Sequence, residues 1–198
     1  MAMAGIGAAI LGVLTGLAWK LPAVGRVDRD LFRAVNSAPL PAWADGILRA
    51  VRPLGTSWAL VVLAGLVATW RPLAGASLLG LGLISGGIER LIKVSVRRTR
   101  PFSGEPGVQI RLPPPPRDPS FPSGDASRAW YLAGAILAGL SAAPPVGAAA
   151  CALAALVSLS RVRGGVHFPA DVWAGSWLGL GMGLLWAWTA SWIRARFG

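Results

Sequence analysis

Residues 73–94 read LAGASLLGLGLISGGIERLIKV, an apolar run that carries no charge before Glu89. A helix crosses the hydrocarbon core of a bilayer with about 20 apolar residues, so this stretch predicts a membrane-spanning helix. Its charged residues, Glu89, Arg90 and Lys93, all fall in the last turns. A charge inside a span is costly and usually functional, which makes Lys93 the first candidate functional residue.

Comparable apolar stretches lie on both sides of this one. We predict six spans, at residues 1–19, 56–70, 73–94, 126–142, 146–159 and 172–193. Residues 22–54 are mixed, and the helical spacing of their apolar positions predicts one or two amphipathic helices at the membrane interface. Residues 95–123 form an aqueous loop, because their irregular backbone could not be satisfied in lipid. The predicted fold is a single all-α domain over residues 1–198, a six-transmembrane-helix bundle with an interfacial amphipathic helix between spans one and two.

The composition excludes several classes of protein. Hydrophobic residues make up 54% of the 198 residues and charged residues only 14%, against about 25% charged in a typical soluble chain. The single cysteine, Cys151, permits neither an intrachain disulfide nor a cysteine metal cluster. The net charge of +11 indicates nucleic acid, membrane lipids or a phosphorylated substrate as partners. We set nucleic acid aside, because the basic residues alternate with the spans and have no aromatic stacking platform.

Three short motifs lie at the ends of predicted spans. They read KVSVRRTRP at 93–101, FPSGD at 121–125 and SRVRGGVHFPAD at 160–171. With six spans, the loops after spans one, three and five share one face of the membrane, so the motifs meet at one surface. The residues brought together are Lys93, Arg100, Arg161, His167 and Asp171.

His167 is the only histidine in the chain, and Asp171 follows four residues later. On a helix this spacing places both side chains on one face. A carboxylate bonded to one imidazole nitrogen fixes the tautomer and leaves the other nitrogen free to attack. The alternative is a helix-capping aspartate beside a solvated histidine. The neighbouring arginines favour a nucleophile that acts on a phosphoryl group.

The same motifs supply groups that bind phosphate. Arg100 and Arg161 can each present a planar fork to phosphate oxygens, and Lys93 adds a point charge. Ser123 and Gly124 precede a predicted helix, whose first backbone N–H groups attract anions. The alternatives are that the basic residues anchor lipid headgroups, and that Ser123 or Asp125 is only an N-cap.

Taken together, the motifs resemble the signature of the type 2 phosphatidic acid phosphatase (PAP2) superfamily, the lipid phosphate phosphatases. That signature reads K-x6-R-P, then P-S-G-H, then S-R-x5-H-x3-D. The first and third motifs match in full. The second departs at Asp125, where the family has a histidine.

The resemblance implies a role for each matching residue. His167 would be the nucleophile that forms a phosphohistidine, with Asp171 orienting it. The phosphate would be held by Lys93, Arg100, Ser123, Gly124 and Arg161. No metal and no other cofactor would be needed, because the cations stabilise the charge. Protonation of the leaving oxygen, the role of the family histidine, would fall to Asp125 or to no residue.

Three interpretations of Asp125 remain open. It could serve as the acid if its pKa were raised towards 7, although nearby cations oppose this. The substrate could be a diphosphate, such as a prenyl diphosphate, whose leaving phosphate is already a stable anion. The protein could also bind a phosphorylated lipid with little or no turnover. We favour an active, metal-independent lipid phosphatase.

Other functional classes are a lipid phosphotransferase with the same nucleophile, a non-catalytic lipid-phosphate-binding protein and a small transporter. The charged candidates cluster at one end of the spans, which argues against the transporter. The basic loops would place the motif face in the cytoplasm by the positive-inside rule, whereas the resemblance places the active site on the extracytoplasmic side of the plasma membrane. We follow the resemblance. Neither the identity of the lipid nor the oligomeric state follows from any motif.

Overall fold

The computed structural model of the protein describes residues 2–111, 116–140 and 143–197. Within these ranges the chain forms helices and loops without any β-strand, which confirms the all-α prediction. The α-helices are α1 (Ala2–Gly16), α2 (Pro22–Ser37), α3 (Ala42–Ala50), α4 (Ser57–Trp70), α5 (Pro72–Val96), α6 (Pro101–Gly104), α7 (Gly124–Ala138), α8 (Pro144–Arg163) and α9 (Pro169–Phe197). Short 3₁₀ turns follow α1 at Leu17–Lys20 and α3 at Arg52–Gly55.

Proline and backbone geometry define the ends of α5. The helix begins at Pro72. Proline has no backbone N–H, which costs nothing here because the first N–H of a helix makes no intrahelical hydrogen bond. It ends where Arg97 adopts the left-handed conformation, with φ +50°, and donates its N–H to the carbonyl of Lys93. This turn directs the chain into the loop that carries Arg98 and Arg100.

Helix α9 lies at the centre of the bundle and packs against α7 and α1. Three glycines four residues apart, Gly175, Gly179 and Gly183, line its contact with α7. A Cβ at any of them would overlap the carbonyl oxygens of α7 residues or of Ser123, just before that helix. The two backbones therefore come close together, which fixes the start of α7 against the start of α9.

Buried aromatic side chains connect α5 with α7 and α9. The hydroxyl of Tyr131 donates to the carbonyl of Leu78 over 2.6 Å. The indole of Trp186 donates to the carbonyl of Ala74 and to the hydroxyl of Ser77. Each aromatic ring thus fills the core while its polar atom is satisfied.

Three helical segments among the described residues are long and apolar enough to cross a membrane, namely Ala2–Lys20, Pro72–Gly104 and Pro144–Arg163. A fourth is possible if Ala42–Gly55 and Ser57–Trp70, which meet at a 60° bend, form one broken span. The chain is an integral membrane protein, and the count of six spans stays a prediction. Residues 141 and 142 of the predicted span 126–142, and the prolines at 113–115, lie outside the described residues.

Helix α8 is longer than the predicted span 146–159, and the two arginines in its last turn are buried. Arg163 donates to the carbonyls of Val35, Asn36 and Ala38 at the end of α2. Its guanidinium also pairs with Asp45 of α3 at 3.0 Å. Arg163 therefore caps the C-terminal end of α2 and binds α3 through an ion pair.

Helix α2 departs from the simple amphipathic pattern predicted for residues 22–54. Its buried face contains Asp28 and Asn36 beside Phe32, whereas Val27 and Leu31 are exposed. The buried side is thus partly polar and faces protein. Its location at a membrane interface stays a prediction.

Candidate active site

The structure brings the three sequence motifs together around one buried imidazole. His167 lies in the loop between α8 and α9, and its Nε2 is 3.2 Å from Nη1 of Arg100. Lys93 comes from the last turns of α5, Arg161 from the last turn of α8, and Ser123 from the residue before α7. All five side chains are buried.

Asp171 lies on the opposite side of the ring, in the first turn of α9. Its Oδ2 is 3.5 Å from Nδ1 of His167, within ion-pair range but long for a hydrogen bond. The same oxygen accepts the N–H of Phe168 at 2.9 Å. The expectation that both residues share a helix face is wrong, because α9 begins only at Pro169. The turn before the helix brings the two side chains together instead.

The surroundings of His167 define its tautomer and charge. An arginine can only donate, so the Nε2 atom that faces Arg100 must carry a lone pair, which leaves the proton on Nδ1. Burial lowers the pKa of His167 to about 4, and the charges of Arg100 and Arg161 act in the same direction against Asp171. The imidazole is therefore neutral at pH 7.

An acidic residue from the long loop, Asp118, binds two of the predicted phosphate ligands. Its carboxylate pairs with Nζ of Lys93 at 2.5 Å and with Nη2 of Arg100 at 2.8 Å. Burial raises the pKa of the Asp118 carboxyl, but the hydrogen bond and charge of Lys93, together with Arg100, lower it to about 2. A carboxylate thus occupies a position between two cations that suits a phosphate. Sequence reasoning missed Asp118, which is separated from both partners by irregular loop.

Asp125, the departure from the family signature, is held between two arginines. Its Oδ2 is 2.9 Å from Nη2 of Arg161, and its Oδ1 accepts a hydrogen bond from Nη2 of Arg128 at 2.6 Å. Arg128 also approaches Glu89, which pairs with Lys93 at 3.0 Å. Two guanidinium groups on one carboxylate stabilise its ionised form.

The start of α7 is partly engaged by the protein itself. The N–H of Ser123, which we expected to be free for an anion, donates to the carbonyl of Asp171 at 2.9 Å. Gly124 lies against the Glu89 carboxylate so closely that a Cβ would overlap it. Among the described residues, however, Oγ of Ser123 and Nε of Arg161 are buried without a hydrogen-bond partner. Both can bind an incoming polar group.

Arg98 and Asp28 are site residues that the sequence did not reveal. Arg98 donates to Oδ1 of Asp171 at 2.8 Å and to Oδ2 of Asp28 at 2.5 Å. Asp28 belongs to α2, far from the three motifs in sequence. Its position in a mixed stretch with helical spacing of the apolar residues gave no signal that it reaches the site.

The described residues include no group of three or more histidine, cysteine, aspartate or glutamate side chains that could hold a metal ion. An apolar groove of about 630 Å³ runs between α2, α7, α8 and α9. Two of its lining residues, Val162 and Pro169, are close neighbours in sequence of Arg161 and His167.

Comparison with known proteins places this geometry in context. The model of the PAP2 superfamily matches residues 73–195. The crystal structure of a transmembrane PAP2-type phosphatidylglycerolphosphate phosphatase from Bacillus subtilis is similar, with a TM-score of 0.75, 24% identity and coverage of 98% of this chain and 97% of that one. Aquifex aeolicus LpxE is also similar, with a TM-score of 0.68, 25% identity and coverage of 79% and 92%. Among curated proteins, none matches the chain.

Proposed function

The chain belongs to the PAP2 superfamily, and on that premise we propose that it is a membrane phosphatase that removes phosphate from a phosphorylated lipid. The observation that carries the proposal is the geometry of the neutral His167, whose unprotonated Nε2 lies 3.2 Å from Arg100 among buried cations, with Asp171 on the other side of the ring. A lone pair next to arginines is the arrangement that attack on a phosphoryl group requires. One of the similar structures is named as a phosphatidylglycerolphosphate phosphatase, which supports the same reaction class.

The proposed reaction has two steps through a phosphohistidine. Nε2 of His167 attacks phosphorus, and the bond from phosphorus to the leaving oxygen breaks with its electron pair on that oxygen. Water then attacks phosphorus, the P–N bond breaks with its electrons returning to Nε2, and one proton passes to solvent. The Nδ1 proton stays on His167 in both steps, and Asp171, 3.5 Å from Nδ1, stabilises the charge that the ring acquires.

The basic residues hold the transferring group and stabilise its charge. Lys93, Arg100 and Arg161 face its oxygens, and the unpartnered hydroxyl of Ser123 adds a hydrogen bond. The absence of a side chain at Gly124 lets the Glu89 carboxylate, which pairs with Lys93, lie against the start of α7. This arrangement supplies the charge stabilisation without a metal ion.

Binding requires the protein's own carboxylate to move. Asp118 occupies Lys93 and Arg100, so a phosphate dianion must displace it to reach either cation. Asp118 lies in a loop and its side chain is half exposed, so it can turn into solvent when the phosphate takes its place on the two cations. In the resting site the Asp118 carboxylate therefore neutralises the cations, and on binding the substrate phosphate takes its place.

The surroundings of Asp125 point to the leaving group. Paired with Arg161 and Arg128, the carboxylate stays ionised and has no proton to give. An alkoxide leaving group needs that proton, whereas a lipid phosphate expelled from a diphosphate does not. We therefore favour a lipid diphosphate, such as a prenyl diphosphate, as the substrate. The apolar groove beside the site has the size and character to hold part of a lipid chain.

The deciding experiment measures phosphate release by the purified protein in detergent with EDTA present. The substrates are phosphatidic acid, phosphatidylglycerol phosphate and a prenyl diphosphate, each with wild type and with His167→Ala. We expect release from at least one lipid, fastest with the diphosphate, and none with the variant. Equal release by both proteins on every lipid would refute the proposal. A phosphorylated acceptor in place of free phosphate would identify a phosphotransferase.

We also propose that the site faces the extracytoplasmic side of the plasma membrane. Cys151→Ala with Ser103→Cys places a lone, exposed thiol in the loop beside the site. A membrane-impermeant maleimide should label it in intact cells. The matched control, Cys151→Ala with Arg71→Cys, carries its thiol at the other end of α5 and should be labelled only after lysis. The reverse pattern would place the site in the cytoplasm.

A further inference from the structure

Helix α2 lies outside residues 73–195, the part of the chain that matches the family model, yet it reaches the candidate active site. The side chain that does so is Asp28, which is only 5% exposed. A buried carboxylate is costly unless every oxygen is paired. Both oxygens of Asp28 are paired, and both partners belong to the surroundings of His167.

The first partner is Arg98, which bridges two carboxylates. One guanidinium nitrogen binds Asp28 and the other binds Asp171, both within 2.8 Å. The guanidinium also lies over the rings of Trp19 and Phe168, 4.1 and 4.2 Å from their centroids. Such a planar group between two rings and two acids is fixed in orientation, which a lysine could not reproduce.

The second partner is the first turn of α9, which directly follows the loop of His167. Oδ1 of Asp28 accepts the N–H of Ala170 at 2.8 Å, and Oδ2 of Asp171 accepts the N–H of Phe168. Phe32, one turn along α2, packs edge-to-face on Phe168 at 5.3 Å. The residues that follow His167 are thus held from α2 by hydrogen bonds and by an aromatic contact.

We propose that Asp28 and Arg98 are positioning residues, and that Asp28 acts through Arg98 to orient Asp171 against the imidazole of His167. The inference rests on the proposed function, because it assigns to α2 a part in the attack by Nε2. Three buried charges in a row are weak evidence for stability alone. Their alignment behind the imidazole of His167 supports a role in orienting Asp171.

The test compares Asp28→Asn with Asp30→Asn. Asp30 lies on the same helix, but its side chain is 71% exposed, and among the residues that the structure describes it pairs only with Arg33, at 3.5 Å. Three quantities are measured in detergent: the single-turnover rate of phosphoenzyme formation, inhibition by inorganic phosphate and the thermal unfolding midpoint. If Asp28→Asn does not accumulate as folded protein, Asp28→Glu, which keeps the charge on a longer arm, takes its place.

We expect Asp28→Asn to slow phosphoenzyme formation by about 10- to 100-fold, the range found when groups that orient a functional histidine are removed. The inhibition constant of phosphate should change less than about twofold, since no phosphate ligand is altered. Asp30→Asn should match wild type. Arg98→Lys should be as slow as Asp28→Asn, and the double variant no slower than either, because the two residues act in series.

Several outcomes would overturn the inference. A wild-type rate for Asp28→Asn would do so, as would a loss of rate matched by equal losses in phosphate binding and thermal stability. Additive effects of Asp28→Asn and Arg98→Lys would also contradict action in series. His167→Ala separates this failure from that of the proposed function. If wild type forms a phosphoenzyme, His167→Ala does not, and Asp28→Asn is normal, only the positioning role falls; if wild type forms none, both fall.

Discussion

The two sides of His167 differ in how their charges are held. Behind the ring, Asp171 and Asp28 are paired with Arg98, and their side chains are 0% and 5% exposed. In front of it, Asp118 and Asp125 pair with the cations that we propose bind phosphate, and their side chains are 50% and 21% exposed. Buried pairs are hard to break, whereas exposed ones exchange readily with solvent and ligands. The comparison indicates a buried scaffold behind the ring and, in front of it, more exposed carboxylates that we propose a phosphate replaces.

The front cations should be the most sensitive to change. Arg100→Lys keeps the charge but loses the fork that spans His167, Asp118 and the carbonyl of Val166. We expect kcat to fall by about 100-fold, the usual cost of removing one donor to the transition state. Arg97→Lys, an exposed neighbour, is the matched control and should match wild type in the phosphate-release assay. A wild-type kcat for Arg100→Lys would show that the Arg100 fork takes no part in the reaction.

Asp125 offers a test that depends on the substrate. Asp125→His restores a group that can protonate a leaving oxygen, so hydrolysis of phosphatidic acid should rise by about tenfold or more. Asp125→Asn should change the rate on a prenyl diphosphate by less than about fivefold, because no acid is needed there. Steady-state assays on both lipids measure the two ratios. A large loss with Asp125→Asn on the diphosphate would show that the carboxylate itself acts in the reaction.

Asp118 should behave in the opposite sense from a catalytic residue. Asp118→Asn removes the anion that competes for Lys93 and Arg100, so more of the protein is ready to bind phosphate. We expect the KM for lipid and the inhibition constant of phosphate each to fall by about fivefold, with kcat nearly unchanged. Glu105→Gln, which alters a carboxylate paired with Arg29 and Arg33 of α2, is the control. A raised KM in Asp118→Asn would mean that Asp118 supports binding.

The smallest expected effect is that of pH, because kcat/KM should change little near pH 7. Attack requires neutral His167, whose pKa burial lowers to about 4 from an ordinary 6.5. Protonation below that pKa occupies Nε2 and abolishes attack, so kcat/KM should fall only well below pH 6.5. Asp118, with its pKa lowered to about 2 by Lys93 and Arg100, stays ionised through this range. An acid limb at pH 6.5 or above would contradict a buried neutral imidazole.

The sequence was most informative where charge lay in unusual surroundings. The sequence identified Lys93 at the end of an apolar helix, the lone His167 and the arginines beside it. Charged residues near hydrocarbon are costly and usually functional. Residues 73–94 and the first apolar stretch likewise predicted helices that the structure contains. These predictions needed only local composition and spacing.

What the sequence could not supply were pairings between distant segments. Asp28 and Arg98 are 70 residues apart, and Lys93 and Asp118 are 25 apart across an irregular loop. No periodicity links such positions, which meet only in the folded bundle, where the turn at Arg97 redirects the chain after α5. Asp28 also looked like an ordinary polar residue of an interfacial helix. Its burial is a property of the folded bundle.

The measurement that tests the central claim most directly is the identification of the phosphorylated atom. Wild-type protein is mixed with a labelled prenyl diphosphate, quenched in base within one turnover, digested and analysed by mass spectrometry. The account predicts one acid-labile, base-stable phosphate on His167, absent from His167→Ala. Phosphate release without any phosphorylated His167, or with the label on another residue, would contradict it.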